Sequence, residues 1–218
     1  MGDPVAKAAL FESLARVGKA LGSGKRLELL DLLAQSERSV EHLATAAGLG
    51  LSTCSAHLQT LRQAGLVATR RDGTKVHYRL AGPDVAALYA LLRDVAGTRF
   101  AQAAAARDAY LGGDDTLAVD RNELQRRLAA GQVLAVDVRP AGEYAAGHIP
   151  GALSLPLDEL ADRLAELPDD VDVVAYCRGA YCVLAHDAVR LLTARGRRAA
   201  RLVDGMLEWR LADLPVAG

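Results

Sequence analysis

Apolar residues recur at helical spacing in the first half of the chain and in short unbroken runs in the second. Leu10, Leu14, Val17 and Leu21 make residues 6–21 an amphipathic helix. Residues 27–33 predict a second helix. Ser39 stands as N-cap of a short helix through Ala47, with His42 three residues on as an imperfect capping box. Gly48-Leu49-Gly50 predicts a turn, and residues 52–64 a further helix ended by Gly65. Residues 66–71 and 75–80 read as strands around Asp72-Gly73, a strong hairpin signal. Residues 84–110 predict one long helix with Val85, Leu88, Leu91, Leu92 and Val95 on its apolar side. At the α-helical rise it would be about 40 Å long, and a helix of that length beside a small domain needs a partner.

Gly112-Gly113-Asp114-Asp115-Thr116 reads as a linker. After it, helices are expected at 120–130, 157–167, 183–194 and 205–211, and strands at 133–138, 152–155, 171–176 and 200–203. The continuous apolar strand at 133–138 suits a buried parallel sheet, and the alternation implies a small one covered on both faces. Two domains are therefore expected: a mainly α domain over 1–111 and an α/β domain over 117–218.

Composition narrows the class. Of 218 residues 51% are hydrophobic, which excludes a mainly disordered chain, and 4% are aromatic, so the cores must be built from Leu, Val and Ala. The net charge of −1 hides an asymmetry: residues 1–115 sum to +2 and residues 116–218 to −3. No basic segment followed by an apolar run stands at the N-terminus, and no run of about 18 apolar residues exists. A cytoplasmic protein without membrane contact is expected. Cys54, Cys177 and Cys182 are too few for a disulfide framework and fit a reducing compartment.

Short helix, glycine turn, helix, hairpin is the order of a winged helix-turn-helix. On the second of these helices Cys54, Leu58 and Leu61 share one side. Ser52, Thr53, Ala56, Gln59, Thr60 and Gln63 lie opposite, small and hydrogen-bonding as close approach to base edges requires. Residues 51–80 carry Arg62, Arg70, Arg71, Lys75 and Arg79 against the single acid Asp72, a balance that fits phosphate contact. The candidate DNA-binding residues are Ser52, Thr53, Ser55, Ala56, His57, Gln59, Thr60, Arg62, Arg70, Arg71 and Lys75, and the expected partner is double-stranded operator DNA.

The run Ser55-Ala56-His57-Leu58-Gln59-Thr60-Leu61-Arg62-Gln63-Ala64-Gly65-Leu66-Val67, with the wing Arg70-Arg71-Asp72-Gly73-Thr74-Lys75-Val76-His77-Tyr78-Arg79-Leu80, resembles the ArsR family of bacterial repressors over roughly residues 8–110. The resemblance implies a homodimer with the first and last helices at its interface. The family's metal and thiol sensors are missing here. The helix before the recognition helix, Ser39-Val40-Glu41-His42-Leu43-Ala44-Thr45, holds no cysteine, and the last helix has Asp84, Asp94 and Asp108 but no histidine. Cys54 faces the core, and His42 and His77 read as surface or packing residues. No metal site and no cofactor are expected, and a chemical sensor would lie elsewhere.

In the second half Cys177 follows the 171–176 strand and starts the loop Cys177-Arg178-Gly179-Ala180-Tyr181-Cys182, which opens a helix at Val183. Ligand sites in α/β sheets lie beyond the carboxyl ends of strands, where loop amides and a helix N-terminus favour an anion. The expectations are a Cys177 thiol of lowered pKa and positive charge from Arg178 near the rim. This makes Cys177, Arg178, Gly179, Ala180, Tyr181 and Cys182 the candidate catalytic loop.

Asp137-Val138-Arg139-Pro140-Ala141-Gly142-Glu143-Tyr144-Ala145-Ala146-Gly147-His148-Ile149-Pro150-Gly151-Ala152, Cys177-Arg178-Gly179 and Val203-Asp204-Gly205-Met206-Leu207-Glu208-Trp209 resemble, in order, three signatures of rhodanese domains, over about residues 117–218. The resemblance implies that Cys177 accepts sulfane sulfur, with Asp137, Arg139, Glu143 and His148 holding the loop and scaffold. Related phosphatases and arsenate reductases carry His-Cys, five residues and Arg. Here Tyr176 precedes the cysteine and Val183 takes the arginine position, so the anion clamp is lacking. Cys182 departs from the pattern. It either attacks a Cys177 persulfide or serves as a small buried residue at the helix start.

Joined, the halves predict a homodimeric repressor whose rhodanese-like domain senses or handles reactive sulfur or oxidant at Cys177. The alternative is a thiosulfate-type sulfurtransferase whose DNA-binding half serves autoregulation.

Overall fold

In the computed structural model, which describes residues 3–113 and 115–218, Asp114 of the expected linker lies outside the described residues. The chain divides between Tyr89 and Ala90 into two compact units.

The first unit opens with α1 (Pro4–Leu21), started by Pro4 and by the Asp3 carboxylate, which accepts from the Val5 amide at 2.9 Å. Then come α2 (Gly24–Gln35), β1 (Arg38–Ser39), α3 (Val40–Ala46) and α4 (Leu51–Gln63). Ser39 caps α3, accepting from the His42 amide at 3.4 Å. β2 (Val67–Asp72) and β3 (Lys75–Leu80) form an antiparallel hairpin in which Asp72 faces Lys75 and Gly73 turns at φ +58°. That angle is why Asp-Gly makes this turn: a side chain there would be strained. β1 pairs with β3, giving the order β1-β3-β2. Leu29, Leu30, Leu43, Leu58, Leu61 and Tyr78 fill the core, joined by Cys54. The buried face of α4 is therefore the one its spacing predicts.

The single helix expected over 84–110 is two. α5 (Pro83–Arg99) and α6 (Ala101–Leu111) are separated by Phe100, which is extended at φ −120°, ψ 101°. The apolar stripe of α5 has no continuation in the alanine-rich α6, so no common face holds one axis. Thr98 in the last turn bonds back to the Asp94 carbonyl at 2.8 Å, a contact that favours bending. α5 alone is about 25 Å long. Residues 90–111 belong to the second compact unit, together with the elements that follow them.

There β4 (Ala118–Val119), α7 (Arg121–Ala129), β5 (Val133–Asp137), α8 (Ala141–Ala145), β6 (Leu153–Ser154), α9 (Leu157–Leu160), a 3-10 turn (Leu164–Glu166), β7 (Asp172–Tyr176), α10 (Val183–Ala194), β8 (Ala199–Leu202) and α11 (Met206–Leu211) succeed one another. The five strands are all parallel, in the order β4-β8-β7-β5-β6. Alternate residues face opposite cores: Val136, Val173, Ala175 and Cys177 on one side, Ala135, Val174, Tyr176 and Trp209 on the other. Burial on both faces explains the unbroken apolar runs. The helix expected over 157–167 is one α turn and one 3-10 turn, because Arg163 leaves helical geometry (φ −107°, ψ 15°) while Leu160, Leu164 and Leu167 all reach the same core.

Candidate functional site

On α4, Ser52, Thr53, Ala56, Thr60 and Arg62 are exposed, and Ser55, His57 and Gln59 are half-buried. Two of these polar groups are already engaged. The Gln59 Nε2 donates to the Tyr78 hydroxyl at 2.9 Å, and the Thr60 hydroxyl donates to the Ala56 carbonyl of its own helix at 3.1 Å. On the wing Arg70, Arg71 and Lys75 are exposed. Arg70 bonds Glu37 through Nε at 2.8 Å and Nη2 at 2.6 Å, and these bonds hold its pKa above the ordinary value. Its charge is thus partly neutralised, while Arg71 and Lys75 flank the turn. Burial pushes the Cys54 thiol up, which makes it an inert core residue.

In the second unit the end of β7 delivers Cys177 into a loop that is held from three sides. From below, the Met206 amide donates to the Cys177 carbonyl at 3.0 Å and the Leu207 amide to the Arg178 carbonyl at 2.9 Å. Gly205 permits this approach: a Cβ there would stand 2.3 Å from the Gly179 nitrogen and 2.5 Å from the Cys177 carbonyl oxygen. From the side, Arg178 Nε meets both Glu143 oxygens at 3.0 Å, and its Nη2 meets Oε1 at 2.6 Å. Arg178 therefore does not stand as a rim charge, as the sequence suggested. Its fork is spent on Glu143, whose side chain is only 1% exposed. Behind Glu143, Asp137 and Arg139 form a fully buried ion pair, with Arg139 Nη2 also donating to the Gly147 carbonyl at 2.9 Å. His148 stacks on Tyr144 at 3.7 Å and its Nδ1 lies 3.0 Å from the Tyr144 carbonyl. From above, α10 presents its N-terminus.

Cys177 is 1% exposed, and its sulfur lies 3.3 Å from the Cys182 carbonyl oxygen. The two thiols influence each other's ionisation. Backbone amides of Gly179 and Ala185 favour charge on Cys177, and those of Arg178 and Leu184 favour it on Cys182. The expected lowered pKa of Cys177 is not what this geometry produces. Burial pushes Cys177 well up, whereas the neighbouring Cys182 is pushed down by its interaction with Cys177.

A cavity of about 550 Å³ borders the loop, lined among others by Arg107, Tyr181, His186 and Arg201. That volume suits a small ligand. Sequence reasoning missed Glu208, whose carboxylate accepts from the Gly205 amide at 2.9 Å and the Ala180 amide at 3.4 Å. It stood inside the Gly-x-x-x-Trp segment, but its role depends on a meeting of distant loops. Among the described residues no three His, Cys, Asp or Glu side chains cluster as metal ligands would. No helix among them is long and apolar enough to cross a membrane.

A winged helix-turn-helix with a basic wing, and a parallel α/β domain with a cysteine loop at a strand end, define a transcriptional regulator carrying a rhodanese-like domain. Residues 23–69 match the bacterial regulatory protein, arsR family, and residues 120–212 the rhodanese-like domain. The HTH-type transcriptional regulator Rv0324 of Mycobacterium tuberculosis (strain ATCC 25618 / H37Rv) is 59% identical over 215 residues, covering 99% of this chain and 95% of the relative. The chain belongs to the arsR family of regulators, in the form that ends in a rhodanese-like domain. A sulfurtransferase of Allochromatium vinosum is 38% identical over 100 residues, 45% of this chain and 92% of that protein. The solution structure of the homodimeric winged helix-turn-helix DNA-binding domain (fragment 1-100) Mb0332 from Mycobacterium bovis is 55% identical, covers 46% of this chain and 93% of its own, and has a TM-score of 0.43.

Proposed function

We propose that this regulator is a cytoplasmic homodimeric repressor whose hold on operator DNA is set by reactive sulfur or oxidant at Cys177. The observation that carries the reading is the buried Cys177 at the end of β7, its sulfur 3.3 Å from the carbonyl of a second cysteine, Cys182, at the start of α10. With thiosulfate as donor, the Cys177 proton passes to the Cys182 thiolate. Cys177 then attacks the outer sulfur, the S–S bond of thiosulfate breaks, and sulfite leaves with the bonding electron pair. A persulfide remains on Cys177. Once deprotonated again, Cys182 can attack the inner sulfur of the protonated persulfide, forming a Cys177–Cys182 disulfide and expelling hydrosulfide. The cysteines are oxidised and the sulfane sulfur is reduced, so the cycle needs a thiol to reset it.

For the DNA, α4 would enter the major groove with Ser52, Thr53, Ser55, Ala56, His57, Gln59 and Thr60 toward the bases. Arg62, Arg70, Arg71 and Lys75 would lie toward phosphates. For dimerisation, Leu10, Phe11 and Leu14 of α1 are 58–59% exposed, an apolar face that suits a second copy of the chain.

A second reading has the domain turn over as a sulfurtransferase while the DNA-binding half regulates its own gene. The cavity beside the loop favours it, since a small acceptor could lodge there. Mass analysis of the peptides after thiosulfate treatment tests both. One sulfur atom gained on the Cys177 peptide is expected. No gain, or the same gain elsewhere in Cys177→Ser, would end the assignment. Steady-state thiosulfate:cyanide turnover then separates sensor from enzyme.

A further inference from the structure

The active loop is gripped by α5, a helix for which the sequence offered only an apolar dimer face. α5 starts in the first unit, where the Tyr89 hydroxyl donates to Asp31 Oδ1 of α2 at 3.1 Å. It ends in the second, where Arg93 is 8% exposed. Arg93 Nη2 pairs with Glu208 Oε1 at 2.6 Å, and its guanidinium lies 5.0 Å from the centre of the Tyr181 ring. The Tyr181 hydroxyl reaches back to the Arg93 carbonyl at 3.4 Å. Glu208 in turn accepts the Ala180 amide at 3.4 Å. Two consecutive residues of the loop, Ala180 and Tyr181, thus meet α5 through one arginine.

This arrangement holds a thiol at Cys177 in a closed site and leaves little room for the extra sulfur of a persulfide. Besides the amides of Gly179 and Ala185, the sulfur faces two acceptors, the Cys182 carbonyl at 3.3 Å and the Gly179 carbonyl at 4.0 Å. A thiol can donate to a carbonyl, but an anionic terminal sulfur placed about 2 Å further on is repelled by it and calls for amide donors. The site is closed, with Cys177 1% exposed, so peptides 179–182 must turn to receive that sulfur. The Ala180 amide, held by Glu208 at a long 3.4 Å, is the donor most easily released, and Tyr181 moves with it.

We propose that Arg93 is the positioning residue through which sulfur loading of Cys177 loosens the hold of the active loop on α5. The proposal rests on the reading of Cys177 given above. The test is amide hydrogen exchange of the full chain, with and without excess thiosulfate, beside mass analysis of the Cys177 peptide. Wild type, Arg93→Met and Arg93→Lys are compared. In wild type one sulfur is gained and exchange across residues 90–99 rises about fivefold or more, the low end of ordinary coupling, with α7 unchanged. In Arg93→Met the sulfur is still gained, but exchange across 90–99 is high from the start and does not respond. Arg93→Lys keeps the charge and restores part of the response. Sulfur gained by wild type with unchanged exchange across 90–99, or a wild-type response in Arg93→Met, overturns the coupling and leaves the chemistry of Cys177 standing. Absence of sulfur gain in wild type overturns both.

Discussion

Gly205→Ala tests whether the corner between β8 and α11 builds the active loop. The glycine has φ −155°, extended backbone that alanine also adopts, so the substitution acts through space alone. The added Cβ would sit 2.3 Å from the Gly179 nitrogen, 2.5 Å from the Cys177 carbonyl oxygen and 2.6 Å from the Gly179 Cα. All three are backbone atoms, so no side chain can swing aside. Relief requires the corner and the loop to part. Overpacking of this kind costs about 1–3 kcal/mol. Parting also lengthens the bonds from the Met206 amide to the Cys177 carbonyl and from the Leu207 amide to the Arg178 carbonyl, worth about 1 kcal/mol each. The sum is roughly 3–5 kcal/mol, a fall of roughly 10–20 °C in the Tm of the second unit. Calorimetry reads the Tm, and mass spectrometry reads sulfur uptake at Cys177, which should slow at least tenfold below the melting range. A native Tm with native uptake would refute the claim that this corner shapes the loop.

Four further outcomes are expected. Arg71→Ala or Lys75→Ala should each flatten the salt dependence of DNA affinity by about one unit, measured by fluorescence anisotropy against salt. Arg70→Ala should flatten it less, because Glu37 already offsets that charge. Cys182→Ser should move the acid limb of thiosulfate uptake to lower pH, because Cys182 adds to the burial that pushes the Cys177 thiol up. An unmoved limb in stopped-flow uptake would remove Cys182 as an influence on the ionisation of Cys177. Leu14→Glu should convert dimer to monomer in sedimentation equilibrium, since it places a charge on the exposed apolar face of α1. Arg139→Met should leave the Asp137 carboxylate buried without its partner and destabilise the second unit by about 3–5 kcal/mol in urea titration.

Periodic signals carried most of the architecture. The faces of α4 were legible because Cys54, Leu58 and Leu61 obey helical spacing, and the wing because Asp72-Gly73 demands a positive φ at Gly73. The parallel sheet was legible from its unbroken apolar strands. β4 and α8 were not, being 2 and 5 residues long, below the length at which a period can be recognised. The break at Phe100 was hidden because alanine favours helix whatever the axis does. At the site, the strand-end position of Cys177 was legible. The upward push on the Cys177 thiol was not, since it depends on burial. Nor was Arg93, which met Glu208 only through folding across more than a hundred residues.

The central claim is that sulfur chemistry at Cys177 changes DNA binding. Its most direct measurement is the affinity of the full chain for an operator duplex selected from random sequence, before and after polysulfide. Wild type is set against Cys177→Ser/Cys182→Ser. The account predicts a 5–150-fold loss of affinity in wild type, the ordinary range of coupling, and none in the double variant. Release of DNA by the double variant to the same extent would place the sensor elsewhere and contradict the account.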